Sequence, residues 1–89
     1  MKLIKLNKET TGLDVNYVIN PNFIAVMRVQ PMYEPDPYDN LPFSERLTDY
    51  SIYIYFHNEP SQAFTLDGYE TQEEAERVMN SLTDLINAD

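Results

Sequence analysis

The stretch TQEEAERVMNSLTDLINA, residues 71–88, decides the fold of this 89-residue chain. Its apolar residues recur at steps of three and four, so that a helix would place them within an arc of about 120°. They are Ala75, Val78, Met79, Leu82, Leu85 and Ile86. Thr71 followed by Glu74 forms a capping-box pattern, which satisfies amide groups in the first turn of a helix. The stretch therefore predicts a helix over 71–88 whose apolar side covers a sheet.

Upstream of the helix, apolar and polar side chains alternate in short segments, which is the pattern of strands. We predict strands over residues 1–6, 15–19, 23–30, 51–57 and 63–66, with a turn at 8–12. In the third strand, the side chains expected to face the core are Phe23, Ala25, Met27 and Val29. The sequence predicts an α+β fold in a single domain over 1–89. Its parts are an antiparallel β-meander of four or five strands and one C-terminal amphipathic α-helix packed on one face.

The fourth predicted strand carries a stripe of Tyr53, Tyr55 and His57 on the side opposite its apolar residues. Because one helix covers only one face of a sheet, we expect this stripe on the uncovered face. Tyrosine there is either an interface residue or an ordinary residue of a solvated sheet, and both interpretations stay open. An unprotected edge strand is a further route to pairing with another chain.

Residues 31–50 contain four prolines, at 31, 35, 37 and 42, and predict a long extended or irregular loop. Aromatic and acidic side chains alternate within it. Either the loop binds a partner through these side chains, or Tyr33 and Phe43 fold back over the sheet as a lid. With the tyrosine stripe, the predicted partner-binding residues are Tyr33, Glu34, Asp36, Tyr38, Asp39, Phe43, Tyr53 and Tyr55.

The net charge of −9 is unevenly distributed along the chain. Residues 1–30 hold four cations and two carboxylates, which sum to +2, whereas residues 31–89 hold 13 carboxylates and two arginines, which sum to −11. Such a balance disfavours direct binding of nucleic acid or an anionic membrane, since both depend on clustered Lys and Arg. The acidity serves either solubility or attraction to a basic protein partner.

The residues that usually carry chemistry are scarce. Cysteine is absent, His57 is the single histidine, and the only glycines are Gly12 and Gly68. Zinc or copper sites built from N and S ligands, glycine-rich phosphate loops and nucleophile motifs are therefore not expected. We predict no enzymatic activity, no cofactor and no metal. With no apolar run near the roughly 20 residues of a membrane span and no signal-peptide pattern, we expect a cytoplasmic protein.

MKLIKL at residues 1–6 and VINPNFI at residues 18–24 resemble segments of small bacterial FlbD-like proteins. The resemblance continues into residues 50–56 and 64–75, where strands lead to a Glu-rich helix start. It implies a short β-meander with a terminal helix. Residues 31–50 have no counterpart in that family and the helix is longer here. The family is associated with flagellar gene clusters, and the resemblance implies no activity for this chain.

Three functional hypotheses follow. The leading one is a non-enzymatic protein-binding protein, in concrete form an inhibitor encoded by a phage or mobile element, whose carboxylates imitate nucleic-acid phosphates and block a basic partner. The alternative is a structural subunit that self-associates as a homodimer through an edge strand or the tyrosine face. The third is an enzyme that uses a pair of carboxylates.

Overall fold

The computed structural model describes residues 3–34 and 47–88, without the side chain of Pro60. It confirms the α+β fold class, with five antiparallel strands and a C-terminal helix packed on the sheet. The elements in chain order are β1 (Ile4–Leu6), α1 (Lys8–Thr11), β2 (Tyr17–Ile19), a 3₁₀ turn (Pro21–Phe23), β3 (Ile24–Tyr33), β4 (Leu47–Phe56), β5 (Glu59–Tyr69) and α2 (Gln72–Asn87).

The strands form two sheets. β1 pairs with β2, and β3, β4 and β5 form a three-stranded sheet with β4 at its centre. The core lies between the three-stranded sheet, α2 and the β1–β2 pair, where Leu6, Ile52, Ile54, Leu66 and Leu82 are almost fully buried. We call the side of the three-stranded sheet that faces α2 the inner face. Ile52 and Ile54 lie on it because they alternate with Tyr53 along β4.

Helix α2 closely matches its prediction. Thr71 caps it by accepting a hydrogen bond from the Glu74 N–H at 3.1 Å, and Ala88 ends it. Ala75 and Leu82 are buried, and Val78, Met79 and Ile86 pack against the core, as the apolar spacing predicts. The exception is Leu85. It is 38% exposed because it lies at the border of the apolar stripe, where the sheet no longer covers it.

The predicted loop over 31–50 is too long. β3 continues through Pro31 to Tyr33, and β4 begins at Leu47. Proline fits here because β3 is an edge strand. An N–H that points away from β4 has no partner strand in the sheet, so its absence costs no hydrogen bond between strands. Pro31 pairs with Tyr50, and the Thr48 hydroxyl donates to the Met32 carbonyl at 3.2 Å, so the two strands stay joined.

The predicted turn over 8–12 is instead the one-turn helix α1. The Asn7 side chain accepts from the N–H groups of Glu9 and Thr10, and the Thr10 hydroxyl accepts from the Asn7 N–H. Gly12 ends the helix in the left-handed region, at φ 78°. This cap departs from the usual capping-box pattern, because Asn7 and Thr10 stand in place of Ser or Thr and of Glu or Gln.

The core-facing set predicted for β3 is half wrong. Met27 and Val29 pack against the core, but Phe23 is 50% exposed and Ala25 is also exposed. The reason is a β-bulge at Ala25, where the register shifts between Ile24 and Val26. As a result Ile24 packs against the core in place of the predicted Phe23 and Ala25. One extra residue reverses the alternation of a strand, and residues before the bulge change sides.

A second bulge places Tyr69. Tyr50 pairs with Tyr69 and Ser51 with Asp67, which leaves Gly68 unpaired at φ 105°. Without the bulge Tyr69 would point outward like Asp67, whereas in the structure it is buried and its hydroxyl donates to the Thr11 carbonyl at 2.7 Å. Burial raises the pKa of Tyr69 to about 12, and the nearby Glu74 carboxylate adds to the rise. This bond ties the end of β5 to α1.

Candidate functional site

The strongest candidate surface is the side of the three-stranded sheet that faces away from α2, which we call the outer sheet face. The registers of the two strand pairs arrange its side chains in rows, because residues directly opposite each other share a face. The three complete rows are Val26–Tyr55–Ala63, Arg28–Tyr53–Thr65 and Gln30–Ser51–Asp67, and the pair Met32–Asp49 continues the face beyond the third row. In the described part of the chain, the helices and the β1–β2 pair lie on the inner side.

An arginine and two tyrosines form the centre of this face. The Arg28 guanidinium carbon lies 5.6 Å from the ring centroid of Tyr53 and 5.6 Å from that of Tyr55. Its Nη2 also donates to the Tyr55 hydroxyl at 3.0 Å. Cation–π contacts of this length attract an arginine to the faces of the rings. The result is a preorganised platform with one positive charge.

The structure places Tyr53 and Tyr55 where the alternation of β4 predicts them. Both are half-buried, and the Tyr53 hydroxyl also contacts the Met32 sulfur at 3.6 Å. His57 is exposed, but it lies in the turn between β4 and β5 rather than in the strand. Its backbone N–H donates to the Phe23 carbonyl at 2.8 Å. The predicted role of Tyr53 and Tyr55 in partner binding stays a prediction.

A serine and an aspartate form one end of the face. The buried Ser51 hydroxyl donates to Asp67 Oδ1 at 2.6 Å, and the Thr65 hydroxyl donates to Oδ2 at 3.3 Å. Asp67 itself is exposed. The outer sheet face thus carries a cation on β3 and two carboxylates, the exposed Asp67 on β5 and the half-buried Asp49 on β4.

The other end of the face is apolar. A shallow cavity of about 430 Å³ opens there, lined by Ala25, Val26, Arg28, Tyr55, Phe56 and His57. Val26 is 52% exposed, which is high for a strand valine next to two tyrosines. This end is the region that the bulge at Ala25 turns outward.

The predicted loop residues divide into two groups. Tyr33 and Glu34 lie at the far end of β3 and are exposed. Asp36, Tyr38, Asp39 and Phe43 lie outside the described residues, so that both alternatives for the loop, partner binding and a lid of Tyr33 and Phe43, stay predictions. Among described residues, the structure therefore joins Tyr53 and Tyr55 to Arg28, and it places Tyr33 beside Leu47, away from them.

Sequence reasoning overlooked Arg28, Ser51, Asp67 and Val26 as members of the same face. One signal was present: Arg28 is the single cation within the apolar run of residues 23–29. Its place beside the tyrosines depends on the pairing register, which alternation within a single strand does not fix.

The carboxylates of the described residues are mostly exposed and unpaired. Between residues 3–34 and 47–88 the one ion pair joins Arg77 to Glu73 at 3.5 Å, and it lies in solvent. An exposed pair of this kind stabilises a helix by at most a few tenths of a kcal/mol. Within the same described residues, no three His, Cys, Asp or Glu side chains converge on a possible metal site. The helices of these residues are also too short or too polar to cross a membrane.

No protein-family model matches the chain, and comparison with curated proteins and with solved structures finds no similar protein. The resemblance to FlbD-like proteins gains no support from these comparisons and carries no further argument. The function must be argued from the surfaces of this chain alone.

Proposed function

We propose that this chain is a non-enzymatic protein-binding protein that presents its carboxylates to a basic partner. In its concrete form it is a cytoplasmic inhibitor that occupies the nucleic-acid groove of that partner, the kind of protein a phage or mobile element encodes. The observation that carries the proposal is that the described carboxylates other than the half-buried Asp49 are exposed, with one internal ion pair among them, Arg77 with Glu73.

The exposed side of α2 and the turn before it hold the densest group. Glu70, Glu73, Glu74 and Glu76 lie within seven residues, and Asp84 follows two turns later. Like charges three or four residues apart destabilise a helix by a few tenths of a kcal/mol each. The positive end of the helix dipole offsets part of this at the first turn. The remaining repulsion is relieved when cations of a partner approach.

Long-range attraction supports the same proposal. A chain of net charge −9 raises the encounter rate with a basic surface, and the gain falls as salt screens it. Such a chain can compete with nucleic acid because both offer exposed anions to the same Lys and Arg side chains.

The test starts from the immobilised chain in lysate of the source cell at low salt. The captured protein is then purified, and its affinity for a DNA duplex is measured with and without the chain. We expect a basic protein whose DNA binding the chain inhibits competitively. A captured protein that is neutral or acidic, or one whose DNA binding the chain leaves unchanged, contradicts the proposal.

A matched pair of variants assigns the effect to α2. The acidic variant replaces Glu73→Gln, Glu76→Gln and Asp84→Asn, which removes three charges at constant size. The control variant replaces Asn80→Ser and Asn87→Ser, which are exposed neutral positions on the same helix. Inhibition should weaken at least about tenfold in the first and stay within about twofold in the second. Equal inhibition by both variants removes α2 from the interface.

Self-association is the second candidate, and it is favoured at the outer sheet face rather than at an edge. Both edge strands of the three-stranded sheet contain a proline, Pro31 in β3 and Pro60 in β5, and β5 also carries the bulge at Gly68. Prolines and bulges interrupt the row of donors that another strand would pair with. By contrast, the outer sheet face exposes Val26, at 52%, beside the half-buried Tyr53 and Tyr55.

A further inference from the structure

We propose that the apolar end of the outer sheet face binds a small monocarboxylate, a ligand with one carboxylate at one end and an apolar body at the other. The site is the shallow cavity of about 430 Å³ at that end, and Arg28 is the residue that binds the carboxylate. This inference goes beyond the basic-partner proposal and is independent of it, because the cavity lies on the side of the sheet that faces away from α2.

Charge is divided along the outer sheet face. The carboxylates of Asp67 and Asp49 lie in the third row and beyond it, and Asp67 already accepts hydrogen bonds from two neighbouring hydroxyls. The Arg28 side chain extends the other way, from the middle row toward the first row, where its Nη2 donates to the Tyr55 hydroxyl at 3.0 Å. The face is therefore positive at its apolar end and negative at the opposite end.

The Arg28 guanidinium has donors available for an anion. A guanidinium carries five N–H groups, and among the described residues one of them is used, by the Tyr55 hydroxyl. Arg77 pairs with Glu73, whereas Arg28 forms no ion pair with any described carboxylate. The contacts with the rings of Tyr53 and Tyr55 restrict the guanidinium before a ligand arrives. Such preorganisation lowers the entropic cost of binding.

The rest of the cavity suits an apolar group. Ala25, Val26, Tyr55 and Phe56 supply carbon surface, and Val26 is 52% exposed. The described residues that line the cavity include no carboxylate, and Glu59 lines a second cavity that shares Phe56 with the first. Small-molecule sites typically combine a mostly apolar lining with a few polar groups that fix the orientation of the ligand. The cavity has this composition.

The net charge selects a monoanion. One arginine neutralises one negative charge, and a chain of −9 repels any further charge on the ligand. A dianionic phosphate ester is therefore disfavoured, as is a peptide with several carboxylates. The planar guanidinium also matches the two oxygens of a carboxylate in a bidentate pair.

The test uses 3-phenylpropionate as the probe, titrated into the isotope-labelled chain at about 150 mM NaCl and followed by two-dimensional NMR. Phenylpropanol lacks the charge and acetate lacks the ring, so that each control ligand removes one half of the probe. We expect the backbone amides of Val26, Arg28 and Tyr55 to shift with phenylpropionate. The Kd should be roughly 1–5 mM, as for a ligand of about eleven non-hydrogen atoms in an open cavity. Both control ligands should bind at least about fivefold more weakly.

Two variants with the same change in net charge assign the carboxylate to Arg28. Arg28→Met keeps an unbranched apolar side chain and should abolish the preference for phenylpropionate over phenylpropanol. Arg77→Met removes a cation from α2 and should leave the Kd within about twofold. Arg28→Lys keeps the charge without the bidentate geometry and should weaken binding about two- to fivefold. If Arg28→Met fails to fold, the comparison of the three ligands on wild type decides.

Three results would overturn the inference. The first is a wild-type spectrum without shifts at these amides in about 20 mM phenylpropionate. The second is equal affinity for phenylpropionate and phenylpropanol, or tighter binding of phenylpropyl phosphate. The third is a shift of the same amides when the chain alone is concentrated from about 50 to 500 μM, which would assign the cavity to a second copy and support self-association.

None of these results affects the basic-partner proposal, whose readout is inhibition of DNA binding. Conversely, a chain that binds phenylpropionate as described and inhibits no basic protein supports this inference and refutes that proposal.

Discussion

Replacement of Tyr69 by phenylalanine tests the contact that joins the two parts of the fold. The hydroxyl of this buried residue donates to the Thr11 carbonyl at 2.7 Å, between residues 58 positions apart. Tyr69→Phe keeps the ring and leaves that carbonyl without the donor. An orphaned buried acceptor costs about 1–3 kcal/mol.

Urea unfolding, followed by circular dichroism, measures this loss. For a chain of this size, with an m value of about 1 kcal/mol/M, a loss of 2 kcal/mol lowers the midpoint by about 2 M. Tyr17→Phe is the matched control, because Tyr17 is exposed and its ring contact with Phe64 survives without the hydroxyl. The control should stay within about 0.5 kcal/mol of wild type. A Tyr69→Phe variant as stable as the control refutes the assigned contact.

The same variant gives a pH signature. The pKa of Tyr69 is raised from 10 in the unfolded chain to about 12 in the folded protein. The stabilisation linked to the neutral hydroxyl is therefore complete below pH 10 and is lost as the pH rises toward 12. Between these values wild type should lose stability faster than Tyr69→Phe. Parallel pH profiles for the two proteins contradict the burial of this hydroxyl.

Three further predictions test the fold in urea or thermal unfolding. Gly68→Ala should lower the free energy of unfolding by about 1–3 kcal/mol, because φ is 105° there. No atom lies within 4 Å of the added Cβ, so backbone strain accounts for the whole loss. A variant as stable as wild type would contradict the bulge. Leu82→Ala should cost about 2–5 kcal/mol, whereas Leu85→Ala at the border of the stripe should cost less than about 1 kcal/mol, and equal losses would contradict the packing of α2. Thr71→Ala should cost about 1 kcal/mol through loss of the bond to the Glu74 N–H, while Thr71→Ser should be nearly neutral.

Helix α2 and the tyrosine stripe were predictable because each depends on a period within one segment. Residues 71–88 keep an unbroken helical spacing, and residues 51–57 keep an unbroken alternation, so the buried and exposed sides follow from the order of side chains. The α+β class follows as well, since a helix with one apolar side needs a sheet to cover.

The errors occur where one residue interrupts a period. The bulge at Ala25 exposes Phe23 against the prediction, and the bulge at Gly68 turns Tyr69 inward. Pro31 predicted a loop because the sequence did not show that β3 would be an edge strand, where proline is tolerated. The platform of Arg28, Tyr53 and Tyr55 depends on the register between two strands, and residues 31–50 contain no Asn-Gly or Asp-Gly dipeptide that would fix it through a two-residue hairpin turn.

The central claim is that carboxylates without an ion pair among the described residues bind a basic partner. The most direct measurement is the affinity of the captured partner for wild type and for the acidic variant (Glu73→Gln, Glu76→Gln and Asp84→Asn), across about 50 to 300 mM NaCl. We predict an affinity for wild type that falls steeply with salt, and a weaker binding with a shallower slope for the acidic variant. Slopes that are flat, or identical in the two proteins, would contradict the claim.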